Sequence, residues 1–225
     1  MIRLEAVEVR AGERVVVHPT SLELAERSVA LVGPNGSGKS TLLRLLNGLV
    51  LPSHGRVLVD GDEPEHALAA VRRRVGFVFT DPDAQLVMPT AVEDVVLSLR
   101  RVGVPRAVRD ARARELLAAQ GLAGLADRSV RELSSGQRQL LALTSVLATG
   151  PAVLVCDEPT TLLDLHHARR VADVLLAAPA QLVVATHDLG LAARTERALW
   201  VEGGRVVRDG PARDVVAAYR ASEPG

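Results

Sequence analysis

The order of apolar and polar positions predicts a core of buried strands that alternate with helices. Three apolar runs stand out, at Ser28–Val32, Ala152–Cys156 and Leu182–Ala185, and the first leads directly into a glycine-rich loop. Uninterrupted apolar runs of this length are typical of parallel strands covered on both faces. Two further strands are predicted at Arg56–Val59 and Arg74–Phe79. We therefore expect an α/β fold.

Both ends of the chain carry weaker strand patterns. Residues 1–26 alternate between apolar and polar positions, which is typical of short strands with one side in solvent. Near the other end, Ala198–Val201 and Val206–Arg208 predict a hairpin that turns at Gly203-Gly204. These segments extend the predicted core at its edges.

Helical patterns follow the glycine-rich loop and then fill the middle of the chain. Thr41–Asn47 is predicted to be a helix that ends before Gly48. Thr90 and Glu93 have the spacing of a capping box at the start of a second helix. Later helices are predicted at Ala107–Ala119 and Leu140–Leu147. A mostly helical insertion, about residues 86–150, therefore interrupts the α/β core.

Composition limits the classes of function. The 225 residues suit one domain, and 48% are hydrophobic although only four are aromatic. The net charge is zero, so no overall field draws the chain to nucleic acid or to an anionic membrane, and we expect no nucleic-acid partner. Cys156, the only cysteine, lies in an apolar run and is predicted to be a buried residue in a reducing compartment.

The chain is expected to be cytoplasmic. Its N-terminus is charged and does not resemble a secretion signal. No run approaches the ~18 apolar residues that a membrane span needs. We expect the protein to reach a membrane only through a partner.

The only lysine of the chain introduces the candidate chemistry. Of 27 basic residues, 26 are arginine and one is Lys39, which lies in the segment GPNGSGKST at residues 33–41. That segment fits the phosphate-loop pattern, where a compact ammonium fits beside a triphosphate and a planar guanidinium does not. A plain glycine turn between a strand and a helix is the alternative. The pattern favours a site for a nucleoside triphosphate.

A phosphate loop also predicts a role for each residue type. Backbone N–H groups from Gly36 to Ser40 would point at the β-phosphate from a helix N-terminus. The Lys39 ammonium would neutralise the β and γ oxygens, and the Ser40 hydroxyl would be a ligand of Mg²⁺. The residues expected to bind the nucleotide here are Gly33, Asn35, Gly36, Ser37, Gly38, Lys39, Ser40 and Thr41.

Two acids end the second apolar run. Asp157 and Glu158 follow the predicted strand Ala152–Cys156, and two carboxylates at one strand end are a weak signal by themselves. Downstream of a phosphate loop, the same pair becomes a strong signal. Asp157 can then hold the Mg²⁺ shell, and Glu158 can polarise the attacking water.

The segment Leu133-Ser-Ser-Gly-Gln137 resembles the signature motif of ABC-type ATPases, and its distance from VLVCDEP fits that family. Taken alone, Ser134 and Gln137 form a capping box, which is an ordinary start for a helix. The resemblance implies that Ser134, Gly136 and Gln137 face the γ-phosphate held by a second copy of the domain. A second ABC ATPase subunit is therefore an expected partner, with a homodimer favoured.

Three more residues match the family in chain order. Gln85 matches the glutamine that reaches Mg²⁺ and the attacking water, and Asp164 in Thr161-Leu-Leu-Asp164 matches an acid at the dimer interface. His187, after the strand Leu182–Ala185, matches the histidine that contacts the γ-phosphate. Catalytic roles are thereby expected for Glu158, His187 and Gln85, and metal contacts for Ser40, Gln85 and Asp157. The remaining histidines are interpreted as core or surface residues: His18, His54, His66, His166 and His167.

The resemblance covers essentially the whole chain and implies its architecture. It implies an α/β fold in which the ABC-type P-loop NTPase core carries an antiparallel β lobe and a helical insertion lobe. Residues 1–225 would form a single ABC ATPase domain. The β lobe and P-loop core would occupy residues 1–85, the helical lobe about 86–150, and the rest of the core 151–225. ATP and Mg²⁺ are the implied cofactors.

Two positions depart from the family pattern. Ser135 stands where the family has glycine, and serine is tolerated there only if its backbone avoids positive φ. Ala11 stands where the family usually has an aromatic that stacks on adenine. No aromatic other than His18 occurs in residues 1–40, so the means of holding the base is an open question.

A second resemblance concerns the biological role. The stretch PDAQLVMPT at residues 82–90 resembles energy-coupling-factor importers, and within them the biotin-uptake ATPase. It implies an importer of a vitamin, biotin favoured, or of a metal ion, with a transmembrane coupling subunit and a small membrane substrate-binding subunit as partners. A plain Asx turn at Asp81-Pro-Asp83 needs no partner. The alternatives are a soluble ABC ATPase acting on nucleic acid, ribosomes or iron–sulfur assembly, and an exporter ATPase.

Overall fold

The computed structural model describes residues 1–222. These residues form two β-sheets with helices packed around them. The strands are β1 (Ile2–Ala11), β2 (Arg14–Leu24), β3 (Ser28–Val32), β4 (His54–Val59), β5 (Val75–Val78), β6 (Val153–Asp157), β7 (Gln181–Ala185), β8 (Arg197–Glu202) and β9 (Arg205–Pro211). The helices are α1 (Lys39–Leu45), α2 (Pro64–Arg74), α3 (Ala91–Arg101), α4 (Arg106–Ala119), α5 (Ser135–Leu147), α6 (Leu165–Ala177), α7 (Leu189–Ala192) and α8 (Ala212–Ser222).

The larger sheet is built from the apolar runs and has the strand order β5-β6-β7-β3-β8-β9. Its first five strands are parallel, and β9 returns antiparallel to β8. Every residue of β6 is buried, as expected for a strand covered on both faces. The carboxyl ends of β3, β6 and β7 lie side by side, and the candidate site is at this edge.

The smaller sheet is antiparallel, with the order β2-β1-β4. Alternating side chains of β1, among them Ile2, Leu4 and Val9, are buried against the α1 side of the core, and their neighbours face solvent. The pairing of β1 with β2 has register shifts near Leu4, Val7 and Val9. Both strands are longer than the short strands that the sequence pattern predicts. The predicted α/β fold with an antiparallel β sheet and helical elements is confirmed.

Three helices lie between β5 and β6, within the interval predicted for the helical insertion. The Glu93 carboxylate accepts hydrogen bonds from the Thr90 backbone N–H at 3.1 Å and from its hydroxyl at 2.7 Å, which confirms the predicted helix start. Val92, Val95 and Leu99 on α3 are buried. No helix within residues 1–222 combines the length and apolar content of a membrane span.

The sequence pattern predicted some helix boundaries wrongly and missed other helices. The first helix begins at Lys39 and ends at Leu45, two residues earlier than predicted, because its first turn belongs to the phosphate loop. The pattern missed α2, whose backbone leaves the helical region at Ala67 and interrupts the period. It also missed α6 and α8, although each is strongly amphipathic.

Cys156 is fully buried in β6, as predicted. Burial, and then the neighbouring Asp157 carboxylate, raise the pKa of Cys156 far above its usual value. Only the thiolate reacts with disulfide reagents, and the unfolded fraction of a stable domain is about 10⁻³ or less. We therefore expect a soluble aromatic disulfide to label the native chain at least about a thousand-fold more slowly than the urea-unfolded chain. Rapid stoichiometric labelling in native buffer would contradict the buried placement.

Candidate nucleotide site

The loop between β3 and α1 has the backbone of a phosphate loop. Gly33 has φ of 143° and Gly38 has φ of 105°, both in the region that favours glycine. A Cβ atom at Gly33 would overlap the backbone carbonyl oxygen of Val201 on β8. A side chain at this position is therefore excluded twice, by backbone conformation and by space.

The loop between β3 and α1 carries hydrogen-bond donors that have no acceptor among the described residues. The backbone N–H groups of Gly36 and Gly38 have no hydrogen-bond acceptor among residues 1–222. The Ser37 hydroxyl is buried and also lacks a partner among them. Unpaired donors just before a helix N-terminus suit the oxygens of a phosphate. The residues present therefore fit a nucleoside triphosphate.

Lys39 is folded back onto the loop. Its side chain is only 5% exposed, and its Nζ donates to the carbonyl oxygens of Gly33 at 2.7 Å and Pro34 at 3.1 Å. Burial lowers the pKa of Lys39 from its usual value, while the Glu158 and Asp157 carboxylates oppose that shift. The ammonium is thus held among acceptors beside the unused N–H donors, where phosphate oxygens would meet it.

Asp157 at the end of β6 lies against the start of α1. Its Oδ1 accepts a hydrogen bond from the Ser40 hydroxyl at 2.8 Å, and its Oδ2 lies 3.5 Å from an Arg44 guanidinium nitrogen. Its backbone carbonyl accepts from the Thr80 hydroxyl at 2.8 Å. A hydroxyl and a carboxylate are oxygen donors of the kind that Mg²⁺ takes alongside phosphate and water. The pair fits Mg²⁺, and residues 1–222 contain no cluster of three or more metal-binding side chains.

Glu158, His187 and Asn35 form the second part of the site. Glu158 has a positive φ of 51°, and its Oε2 accepts from the His187 backbone N–H at 3.1 Å. The His187 Nε2 lies 2.8 Å from Asn35 Oδ1 and 3.2 Å from Glu158 Oε1. The ends of β6 and β7 therefore hold two of the three predicted catalytic side chains, Glu158 and His187, beside the phosphate loop.

Gln85 is not part of this cluster. Its Oε1 accepts from the Phe79 backbone N–H at 3.3 Å, and its Nε2 donates to the Ala142 carbonyl on α5 at 3.4 Å. The side chain therefore connects the end of β5 to a helix of the insertion. Gln85 does not contact Ser40 or Asp157, the residues that fit Mg²⁺, because its amide oxygen and its amide nitrogen are both hydrogen-bonded to backbone groups.

Ser134, Gly136 and Gln137 lie at the start of α5. The Ser134 hydroxyl accepts from the Gln137 backbone N–H at 3.3 Å, and Gln137 Oε1 accepts from the Ser134 N–H at 2.9 Å. The predicted capping box is confirmed, and neither residue contacts the phosphate loop of its own chain. Ser135 is the first helical residue and has no positive φ, so serine is conformationally tolerated there.

Asp164 begins α6, and the sequence pattern did not identify its main partner. Asp164 accepts from the His167 backbone N–H at 2.9 Å and lies 2.7 Å from the His167 ring Nδ1. Interpreting His167 as an ordinary core or surface residue was therefore incomplete. The spacing Asp-x-x-His at a helix start was the available signal, since an N-cap side chain faces the third helical residue.

Family comparison agrees with this geometry. A family model described as ABC transporter matches residues 17–161. A Deinococcus radiodurans protein, provisionally assigned as an ABC transporter ATP-binding protein, is 44% identical over 98% of this chain and 97% of its own. The biotin transport ATP-binding protein BioM of Rhizobium etli is 41% identical over 97% of each chain. The chain belongs to the ABC transporter ATPases, which bind and hydrolyse ATP.

Solved structures are similar over nearly the whole chain. The structure of cbiO1 from Clostridium perfringens, part of the ABC transporter complex cbiONQ, has a TM-score of 0.86 and 27% identity, covering 98% of this chain and 92% of that one. A dimeric post-hydrolysis state of the ATP-binding cassette MJ0796 with ADP and Pi has a TM-score of 0.82 and 30% identity, covering 95% and 99%.

Proposed function

We propose that this chain is the ATP-hydrolysing subunit of an energy-coupling-factor type importer, with biotin as the favoured substrate and another vitamin or a metal ion as the wider class. The observation that carries the proposal is the full-length similarity to BioM. The similarity to cbiO1, a part of a transporter complex, supports it. In this role the protein lies on the cytoplasmic face of the membrane, held there by its transporter partners.

The site geometry supports specific roles. The phosphate-loop N–H groups and Lys39 bind the phosphates, and Ser40 with Asp157 would hold Mg²⁺. When bound, that ion neutralises charge on the phosphate oxygens. Glu158 positions and polarises the attacking water, and His187 contacts the γ-phosphate from the adjacent strand end.

Two chains are needed for a complete site in this proposal. Ser134, Gly136, Gln137 and Asp164 lie at the N-termini of α5 and α6, away from their own phosphate loop. Both helix ends carry partial positive charge that suits a phosphate held by another copy. The dimeric ADP-bound cassette supports the pairing, and a homodimer is the simplest form.

An open cavity of about 290 Å³ supports docking of the transmembrane coupling subunit. It lies where the insertion meets the larger sheet and is lined by Gln85, Val87, Leu97 and Leu49 among others. Val87 is 69% exposed, Leu49 43% and Leu97 38%, so apolar surface is available to a partner. Because Gln85 also bonds to Phe79 and Ala142, a partner in this cavity touches a residue that links the two parts of the fold.

A charged substitution in this cavity tests the docking role. We expect Val87→Asp to abolish copurification with the membrane subunits, because an apolar contact would be replaced by a buried charge. Val108→Asp is the matched control, since Val108 is 52% exposed on α4 and does not line the cavity. ATP binding by the free subunit should be unchanged in both. Copurification of Val87→Asp at the level of Val108→Asp would contradict the docking surface.

The adenine base lacks an aromatic platform in this chain. Ala11 ends β1 at the hairpin with β2, and the Val16 carbonyl of that hairpin lies beside Gly38 of the phosphate loop. Arg10 is already paired with Glu8 at 2.5 Å, whereas Arg14 makes no ion pair with the described residues. Arg14 is therefore the better candidate for a cation–π contact with the base.

We expect Ala11→Tyr to tighten ATP binding by five- to a hundred-fold, which corresponds to a stacking contribution of about 1–3 kcal/mol. The unmodified chain should bind ATP and GTP with similar affinities, because the triphosphate and Mg²⁺ are common to both. Titrations of both nucleotides against the native, Ala11→Tyr and Arg14→Ala chains provide the measurement. A strong ATP preference in the native chain that survives Arg14→Ala would refute this account of the base site.

A further inference from the structure

His167 connects the two helix starts that the proposed dimer needs. Its backbone N–H donates to Asp164 Oδ1 at 2.9 Å, and its ring Nδ1 lies 2.7 Å from Asp164 Oδ2. These two bonds, the backbone one first, lower the pKa of Asp164 and keep its carboxylate charged. Asp164 is 65% exposed and His167 only 26%, so the ring lies behind the carboxylate that faces solvent.

The other side of the same ring packs on Gly136 at the start of α5. A Cβ atom at Gly136 would overlap Cγ and Cδ2 of His167 and would lie 2.7 Å from its Cβ. Gly136 has no positive φ, so its backbone conformation does not require glycine. A side chain at Gly136 would therefore force the imidazole of His167 to move.

We propose that His167 is a positioning residue that fixes the Asp164 segment against the Ser134–Gln137 segment. The imidazole holds Asp164 through its hydrogen bond and Gly136 through ring contact, so the two helix starts form one rigid surface. This inference rests on the proposed function, in which that surface meets the nucleotide of a second copy. His167 makes no hydrogen bond or ion pair with the phosphate loop or with Glu158 of its own chain, so we expect its substitution to affect pairing and not nucleotide binding by one chain.

Three substitutions separate the two contacts. His167→Asn keeps a donor near the Nδ1 position but removes most of the ring from Gly136. His167→Phe keeps a ring on Gly136 but removes the hydrogen bond to Asp164. His167→Ala removes both contacts. His166→Ala is the matched control, because His166 is the exposed neighbour whose ring meets His167 only edge-on, with centroids 5.5 Å apart.

The measurement is ATP-dependent dimerisation of the full chain in a Glu158→Gln background, which should retain bound ATP. Sedimentation velocity with ATP and Mg²⁺ gives the dimer dissociation constant, and titration at low protein concentration gives ATP affinity of the single chain. We expect His167→Ala to weaken dimerisation roughly ten-fold. His167→Asn and His167→Phe should each weaken dimerisation less than His167→Ala does, because each keeps one of the two contacts. His166→Ala should match the parent, and ATP affinity of the single chain should be unchanged throughout.

The outcomes are distinguishable. If the Glu158→Gln parent does not dimerise with ATP, the proposed function fails and this inference fails with it. If the parent dimerises and His167→Ala dimerises equally well, only the positioning role is overturned. A loss of ATP affinity or a lowered unfolding temperature in all three His167 variants would also overturn it, since His167 would then act on the fold rather than on pairing.

Discussion

Glu158→Gln is expected to lower the ATP hydrolysis rate by about 10²–10⁴-fold, the range typical for loss of a general base. The amide keeps the size of the side chain and can still accept a hydrogen bond from the His187 backbone N–H. In the native chain this N–H lies 3.1 Å from Glu158 Oε2. The amide cannot accept a proton from water. ATP binding should persist, because Lys39, Ser40 and Asp157 do not depend on Glu158 for their hydrogen bonds.

A phosphate-release assay under saturating ATP, combined with a nucleotide-binding titration, checks this prediction. Glu115→Gln is a suitable control, because Glu115 is an exposed glutamate on α4 whose one ion-pair partner within residues 1–222 is Arg112. Near-normal turnover in Glu158→Gln would mean that another group acts as the general base. His187 is the nearest candidate, since its Nε2 lies 3.2 Å from Glu158 Oε1.

Dilution of the free subunit is expected to lower its specific ATPase activity, and this is the second large effect. Ser134 and Gln137 bond to each other and not to their own phosphate loop, so one chain alone lacks the second half of the proposed site. Below the dimer dissociation constant, the fraction of paired chains falls in proportion to concentration. Specific ATPase activity of the free subunit should then fall about ten-fold for each ten-fold dilution.

Steady-state rates across at least three decades of subunit concentration provide the measurement. ATP affinity measured over the same series is the control, because phosphate-loop binding by a single chain should not depend on concentration. Activity per molecule that stays constant into the monomer range would mean that one chain is sufficient, and composite catalysis would be ruled out.

The strands and the order of the motifs could be predicted from the sequence because they rest on local patterns. Burial on both faces selects apolar residues throughout β3, β6 and β7, and this leaves a continuous run in the sequence. Capping boxes at Thr90 and Ser134 depend on residues three positions apart. Helix α2 was missed because its backbone leaves the helical region at Ala67, which interrupts the helical period. Helix α6 was missed although its sequence is amphipathic.

The candidate site required more than local pattern. Residue type and motif order predicted that Lys39, Asp157, Glu158 and His187 act together, and the structure brings them together because three parallel strands end at one edge. The roles assigned to these residues stay predictions. No local pattern could show that Lys39 folds onto two carbonyls or that Glu158 has a positive φ.

The sequence by itself determined the class of protein, since a phosphate loop, a strand ending in two acids and a signature segment are each defined by short spacing. Only the tertiary structure decided where Gln85 and His167 go. Gln85 bonds to backbone groups just after β5 and on α5, and His167 packs on a glycine 31 positions earlier in the chain. Contacts between distant segments depend on how helices pack, and spacing along the chain does not encode that packing.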